Sequence, residues 1–208
     1  MEPQQAYNSW ASQYDSNKNK TRDLEAIALR NELNNLAFKS VLEIGCGTGK
    51  NTEWFVSNNK NVLALDLSPE MLAKARSKIT SEKATFIQAD ITKPWTFIND
   101  RYDLAGFSLV LEHIDDLNFI FSEVSQKIKP GGFVYVGELH PFKQYAGSKA
   151  RFETKTGTQI VQCFNHNITD FINAAKSHCL DLIKLNEYFD DDYRNNLPRI
   201  LTLIFTKR

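Results

Sequence analysis

The sequence carries no excess of either charge: 25 Lys and Arg stand against 25 Asp and Glu in 208 residues. That balance excludes the broad cationic footprint with which a protein grips nucleic acid or an anionic membrane, so a small or weakly charged partner is expected. No apolar run reaches the ~18 residues of a membrane span. Met1 to Trp10 has neither the basic start nor the apolar centre of a secretion signal. A cytoplasmic location is expected. Cysteine is scarce: Cys46, Cys163 and Cys179 make no C-x-x-C pair and offer no zinc spacing, so no metal site and three buried, reduced thiols are expected. Low-complexity segments and repeats are also missing, and at ~150 residues per domain the length suits a single domain over 1–208.

What is present is an alternation of two periods. Short apolar runs at Val41–Ile44, Val62–Leu65, Ala84–Gln88, Tyr102–Phe107 and Phe133–Glu138 are separated by amphipathic stretches, the mark of βαβ units around a parallel sheet. Ser68-Pro69-Glu70 supplies an N-cap, a proline at the first helical position and a first-turn acid, which predicts a helix to about Lys78. Leu117, Ile120, Phe121, Val124 and Ile128 have helical spacing, and Lys129-Pro130-Gly131-Gly132 stops that helix and turns the chain into the next strand. Upstream, Leu24, Ile27, Ala28 and residues 31–36 predict an amphipathic helix behind an aromatic arm. Downstream, strands are expected at Ile160–Asn165, Leu182–Tyr188 and Ile200–Thr206, and a helix at Asp170–Cys179. The fold class is thus α/β: a doubly wound, Rossmann-like sheet with helices on both faces. Within it, 1–36 form the arm and first helix, 37–140 the core, and 141–208 a cap with the last strands.

Three of the nine glycines, Gly45, Gly47 and Gly49, fall within five residues, after an apolar strand and before a predicted helix at Lys50–Val56. Glycine there permits positive φ and close approach of a ligand to the main chain, while the helix N-terminus offers free N–H donors. A nucleotide-like ligand is implied. The dinucleotide pattern G-x-G-x-x-G fails, because the third glycine comes one residue early and Lys50 fills its slot. No G-x-x-x-x-G-K-[ST] run occurs either.

The run Val41-Leu-Glu-Ile-Gly-Cys-Gly-Thr-Gly49 resembles the first motif of class I S-adenosylmethionine-dependent methyltransferases. Ala64-Leu-Asp-Leu-Ser-Pro-Glu-Met-Leu72, Phe86-Ile-Gln-Ala-Asp90, Tyr102-Asp103 through His113, and Ile128-Lys-Pro-Gly-Gly132 resemble that family's later segments in order, over roughly residues 36–140. The resemblance implies a seven-stranded sheet, mostly parallel with an antiparallel C-terminal strand, and S-adenosyl-L-methionine as cofactor, with S-adenosyl-L-homocysteine as product. It also implies a cofactor site. Asp66, 17 residues past Gly49, would accept from the ribose hydroxyls. Asp90 would accept from the adenine amino group and the Ile91 amide would donate to the ring. Glu43, an acid inside an apolar strand, must be hydrogen-bonded and would order the glycine loop near the methionine part. Leu67 or Met71 would pack on adenine, Ser108 and Leu109 would line the methionine side, and Cys46 would contribute its amide.

Methyl transfer from a sulfonium is an in-line displacement, in which positioning and exclusion of water carry most of the work. Where the acceptor is a hydroxyl, a protonated amine or an activated carbon, a proton must leave, and His140 and His166 are the expected bases or substrate anchors. His113 is expected at the substrate pocket, packing beside the cofactor or capping the helix rather than acting in chemistry, and His178 is expected to be structural. Tyr7, Trp10 and Tyr14 resemble the aromatic arm of the family's small-molecule branch and would form a lid, with cation–π contact to the sulfonium. Phe142, Tyr145, Phe152 and Phe164 would make an apolar, partly aromatic acceptor pocket; Lys143, Lys149, Arg151 and Lys155 form a solvated basic loop able to meet an acidic substrate. The expected function is methylation of O, N or C of a small metabolite by a monomer or homodimer. A nucleic-acid methyltransferase is the rival, although Phe107-Ser-Leu-Val110 stands where base-modifying enzymes carry [DN]-P-P-[YFW]. A cofactor-binding sensor without turnover is a further alternative.

Overall fold

β1 (Ser40–Ile44) is an interior strand of the sheet, parallel to β2 (Asn61–Asp66) on one side and to β4 (Tyr102–Ser108) on the other. The structure is a computed structural model and describes residues 1–154, 157–191 and 196–208. Among these residues the main sheet has seven strands in the order β3-β2-β1-β4-β5-β9-β8, with β3 (Ala84–Gln88), β5 (Ile128–Leu139), β8 (Leu180–Tyr188) and β9 (Ile200–Lys207). β9 runs antiparallel to both neighbours, and the other strands share one direction. Connectivity reverses between β1 and β4, so the crevice beyond their carboxyl ends is where a doubly wound sheet binds its ligand.

Period-two alternation sends side chains to two cores. Leu42 and Ile44 of β1 join Leu65 and Phe107 beneath α5 (Leu117–Lys127) and α7 (Ile168–Ser177). Val41, Val62, Ala64 and Leu104 face the opposite layer, built from α2 (Lys20–Leu33), α3 (Lys50–Ser57) and α4 (Pro69–Lys78). The Ser68 hydroxyl accepts from the Met71 N–H and caps α4, as the Ser-Pro-Glu signal predicts. α1 (Pro3–Trp10) precedes α2 and lies against α4. No helix among the described residues is long and apolar enough to cross a membrane.

Several details differ from the expectations. The Lys129–Gly132 turn is folded into β5 as a bulge: Tyr102 pairs with Ile128 but Leu104 pairs with Phe133, and Gly131 takes φ +76°. The strand expected at Ile160–Asn165 is instead the end of a hairpin between β6 (Arg151–Thr154) and β7 (Gly157–Ile160). Past Val161, the Gln162 and Phe164 amides leave that ladder for the carbonyls of Met1 and Glu112, so no strand partner remains. Ile27, expected on the buried stripe of α2, is 53% exposed, while Glu25 and Glu32 lie on its buried face. The thiols are not all buried either. Cys46 is buried and Cys163 half-buried, but Cys179 is exposed in the left-handed turn that leads from α7 into β8. The short helix α6 (Pro141–Tyr145) follows β5.

Candidate active site

Three cavities adjoin at the carboxyl ends of β1, β2 and β4, and Tyr14 and Leu109 line all three. The first, about 370 Å³, runs from Gly45 and Gly47 past Asp66 and Met71 to Asp90 and Ile91. The third, about 170 Å³, holds Glu43, Gly47, Asn51 and Ser108. The second, about 460 Å³, opens on the other side of Leu109 toward Trp10, Arg22, Glu112, Lys149 and Arg151.

The glycine loop is built for this place. Gly45, Gly47 and Gly49 all take positive φ. A Cβ on Gly45 would stand 2.2 Å from Val110 Cγ2, and one on Gly49 would stand 2.8 Å from Ile79 Cδ1, so these two glycines allow packing. Gly47 is different, because a Cβ there would meet nothing within 4 Å. Its bare face is the open wall of the crevice. Asp66 fastens the loop: Oδ2 accepts from the Gly47 N–H (2.7 Å) and Oδ1 from the Ser68 N–H (2.8 Å). Burial raises its carboxyl above the ordinary range against the lowering by those amides. Each oxygen keeps a lone pair for a ligand hydroxyl.

Glu43 accepts from the Thr52 hydroxyl at 2.5 Å, tying β1 to α3, and burial pushes its pKa up to about 8. Glu25, which sequence reasoning missed, faces the same cavity. It accepts from Tyr135 Oη (3.1 Å) and Asn51 Nδ2 (3.5 Å), and burial raises it to about 7. The sequence signal for it is a carboxylate on the apolar stripe of a helix, beside Ala28 and Leu29. Asn51 also donates to Ser108 Oγ (3.3 Å), while its own Oδ1 is buried with no partner. Cys46 lies in the loop, but its amide is spent on the Leu65 carbonyl (2.8 Å), and burial holds its thiol well above the ordinary range. Asp90 lines the first cavity while its Oδ1 caps Thr92 (3.0 Å to N, 2.6 Å to Oγ1). Leu67 lines the same wall, and its carbonyl accepts from Gln4 and Gln88.

A second omission is Glu138. Buried at the end of β5, its Oε1 accepts from the amides of Val110 (2.9 Å) and Leu111 (2.8 Å) and so holds the start of the 3-10 turn Leu111–His113. Burial raises its pKa to about 8. This anchor sets Leu109 at φ +58°, a conformation that costs a branched residue of order 1–3 kcal/mol and persists only where its surroundings impose it.

The histidines sort differently from expectation. His140 is fully buried, donates Nε2–H to Glu187 (2.9 Å), accepts from the Phe142 N–H at Nδ1, and lines none of the three cavities. His166 donates to the Ile114 carbonyl (2.7 Å), meets Phe171 edge-on at 5.6 Å, and is likewise outside them. Both have their ring nitrogens or faces committed to the fold. His178 bonds to Asn118 on the surface. His113 is the histidine the structure brings to the crevice, with Tyr7 Oη 2.8 Å from Nε2 and the Gln162 carbonyl 2.8 Å from Nδ1.

The arm lies over the crevice. Tyr7 stacks on Trp10 at 5.8 Å, Trp10 meets Tyr14 edge-on at 4.9 Å, and the Arg22 guanidinium covers one face of Tyr14 at 3.9 Å. Phe164 lines the first cavity. Phe142 and Tyr145, expected in an aromatic acceptor pocket, are 46% and 56% exposed and outside all three cavities. The short α6 turns both outward. The second cavity is consequently polar where an apolar one was expected. Lys155 and the Phe152 side chain lie outside the described residues.

Residues 42–136 match the family model of a methyltransferase domain. The malonyl-[acyl-carrier protein] O-methyltransferase of Salmonella typhimurium is 33% identical over 129 residues, covering 62% of this chain and 50% of that protein. The ubiquinone biosynthesis O-methyltransferase of Proteus mirabilis is 30% identical over 144 residues, covering 66% and 57%. The chain thus spans little more than half the length of these curated relatives. Among solved structures, the DhpI complex with S-adenosylhomocysteine superposes with a TM-score of 0.75 at 21% identity, covering 97% of this chain and 93% of that one, a likeness of fold. Sheet order and glycine loop are those of the class I S-adenosylmethionine-dependent methyltransferase fold, and residues 42–136, a little under half of the chain, are similar to a methyltransferase domain.

Proposed function

We propose that the protein holds S-adenosylmethionine across the first and third cavities and passes its methyl group, past Leu109 and Tyr14, to a small molecule in the second. The observation that carries this reading is the meeting of all three cavities at those two residues. The cofactor's chemistry is an electrophilic methyl on a sulfonium, and the residues present suit its parts. Asp66 has free lone pairs for ribose hydroxyls, the bare face of Gly47 admits close approach, and Met71, Leu67, Asp90 and Ile91 surround the place for a base. At the other end, Glu25, Glu43 and the orphaned Asn51 Oδ1 offer acceptors to an ammonium group.

His113 and Tyr7 take the role first expected of His140 and His166. The Gln162 carbonyl can only accept, so Nδ1 of His113 carries a proton and Nε2 of the neutral ring is basic. Tyr7 donates to Nε2 and lines both the first and second cavities. An acceptor hydroxyl beside Tyr7 would therefore lose its proton to the tyrosine oxygen as the tyrosine proton moves to His113. An oxygen acceptor is supported further by the O-methyltransferase names of both curated relatives. The expected setting is cytoplasmic, with no nucleic-acid partner.

Calorimetry with S-adenosylhomocysteine tests the cofactor half, with Asp66→Asn expected to weaken binding at least tenfold. Transfer of labelled methyl from S-adenosylmethionine to a metabolite extract tests the other half. Label in tRNA, rRNA or DNA would favour a nucleic-acid enzyme. Binding without transfer to any fraction would favour a sensor.

A further inference from the structure

Two residues on the wall of the second cavity, Glu112 and Arg22, each carry a buried polar atom with no hydrogen-bond partner. Glu112 is 6% exposed; its carboxyl faces the Cys163 thiol and, through Oε1, lies 3.9 Å from His113 Nε2, while its Oε2 is buried with no partner in hydrogen-bond geometry. On the same wall, Arg22 donates its two terminal nitrogens to the carbonyls of Tyr14 (2.6 Å) and Asn17 (2.7 Å), while its buried Nε has no partner. Carbonyls orient a guanidinium without neutralising it. Groups of this kind are costly in a folded protein unless something completes them.

The remaining charge around the cavity is uneven. Arg199 is neutralised by a two-point pair with Asp190. Lys149 and Arg151 are exposed and, among the described residues, have no ion pair. Among the described residues, Arg22, Lys149 and Arg151 therefore line this cavity without an ion pair, Arg22 having Asp15 and Asp23 at longer range, together with one buried carboxylate, Glu112. The carboxylate stands beside the Tyr7–His113 pair, whereas Lys149 and Arg151 are at the solvent side. Burial raises the Glu112 carboxyl above its ordinary range against the lowering by His113 and Cys163.

On the methyltransferase reading above, we propose that the methyl acceptor is a small organic acid, carboxylate or phosphate, that also bears a hydroxyl or amine. Its acid group is met by Arg22, Lys149 and Arg151, and a second O–H or N–H, distinct from the proton that leaves by Tyr7, donates to Glu112 Oε2, which aims the nucleophile past Leu109 at the methyl. In the transfer, the acceptor's lone pair forms the new bond to carbon, the sulfonium S–C bond breaks with its electrons going to sulfur, and the acceptor proton leaves by Tyr7 and His113. An acceptor lacking the acid would leave the guanidinium uncompensated. One lacking the donor would leave Glu112 orphaned.

The test uses the full chain saturated with S-adenosylhomocysteine and follows ligands by saturation-transfer NMR. The acidic probes are 3-hydroxybutyrate, glycine and glycerol 3-phosphate; 1,3-butanediol, ethanolamine and glycerol are their counterparts without the acid. Acidic probes are expected to bind and their counterparts to bind at least roughly tenfold more weakly, with the affinity falling as salt is added. Carboxylate and phosphate arms show which acid is preferred. Lys149→Ala with Arg151→Ala should weaken the acidic probes roughly tenfold and leave S-adenosylhomocysteine binding intact. Glu112→Gln should keep acidic-probe affinity but lower methyl transfer to the best of them roughly a hundredfold. Equal binding of acidic and acid-free probes, no binding of any acidic probe, or a double variant without effect overturns the inference while the methyltransferase reading stands. A Glu112→Gln variant with unchanged transfer overturns the part given to Glu112. Absence of S-adenosylhomocysteine binding overturns the methyltransferase reading, and this inference with it.

Discussion

The Tyr7 hydroxyl donates to His113 Nε2 across 2.8 Å, although the two residues are 106 positions apart in the chain. Their rings also meet edge-on with centroids 5.4 Å apart, so the hydrogen bond is held by packing as well as by charge. The Gln162 carbonyl at Nδ1 fixes the tautomer that makes this bond possible.

If the two act as one proton route, Tyr7→Phe and His113→Asn will each lower methyl transfer roughly a hundredfold. The double variant will be little worse than either single one, because residues acting as a unit are not additive. S-adenosylhomocysteine affinity, measured by calorimetry, should change little. His140→Asn should instead lower the melting temperature, since it breaks the buried bond to Glu187.

Two neighbouring glycines should respond in opposite ways. Gly47→Ala places a methyl in the open crevice and costs only ~1–2 kcal/mol for a left-handed alanine, yet should weaken cofactor binding severely. Gly45→Ala adds the 2.2 Å collision with Val110 to the same backbone penalty. It should therefore be the less stable of the two in thermal melts. Equal melting points would count against the packing role given to Gly45.

The buried acids set a slope of stability with pH. Glu25, Glu43 and Glu138 have folded pKa values of about 7, 8 and 8, above the 4.5 expected of an exposed glutamate. Between those limits the folded protein binds more protons than the unfolded chain, so this contribution is full at low pH and is lost as pH rises toward 8. The melting temperature should be higher at pH 6 than at pH 8.5. Glu43→Gln should flatten the slope, since the amide oxygen can still accept from Thr52.

Asp103 works in the other direction. It accepts from the Lys39 and Ser40 amides (2.9 and 2.8 Å) and pairs with Lys129 (2.7 Å), which hold its carboxyl well below the usual range. Its stabilisation is present above the ordinary aspartate pKa and is lost as pH falls through the depressed one. Asp103→Ala should cost about 2 kcal/mol at neutral pH, mostly through the two orphaned amides, and urea titration reads this directly.

Much of the sheet was legible because burial on both faces leaves dense apolar runs, as at Val62–Leu65 and Phe133–Glu138. The shape of the crevice was legible because Gly45 to Gly49 and Asp66 are close in sequence, and the left-handed glycines and the bond from Gly47 to Asp66 follow from backbone geometry. The acceptor side was not. His113 acquires its meaning from Tyr7 and Gln162, and His140 loses the expected one through Glu187, all distant along the chain. Glu138 escaped notice for a related reason: an acid ending an apolar strand is visible, but the amides it anchors belong to a loop 26–28 residues away. The β7 ending at Ile160 was misplaced because apolar content alone does not reveal whether a ladder partner continues.

Besides Tyr7, the arm is sewn to the crevice rim by side-chain bonds that include Gln4 to the Leu67 carbonyl (3.3 Å), Ser68 to Asn8 (2.6 Å) and Thr48 to Asp15 (2.6 Å). On the proposed reading these seams would have to part for a nucleoside to come or go, so they would slow the escape of spent product as much as they shelter the reagent.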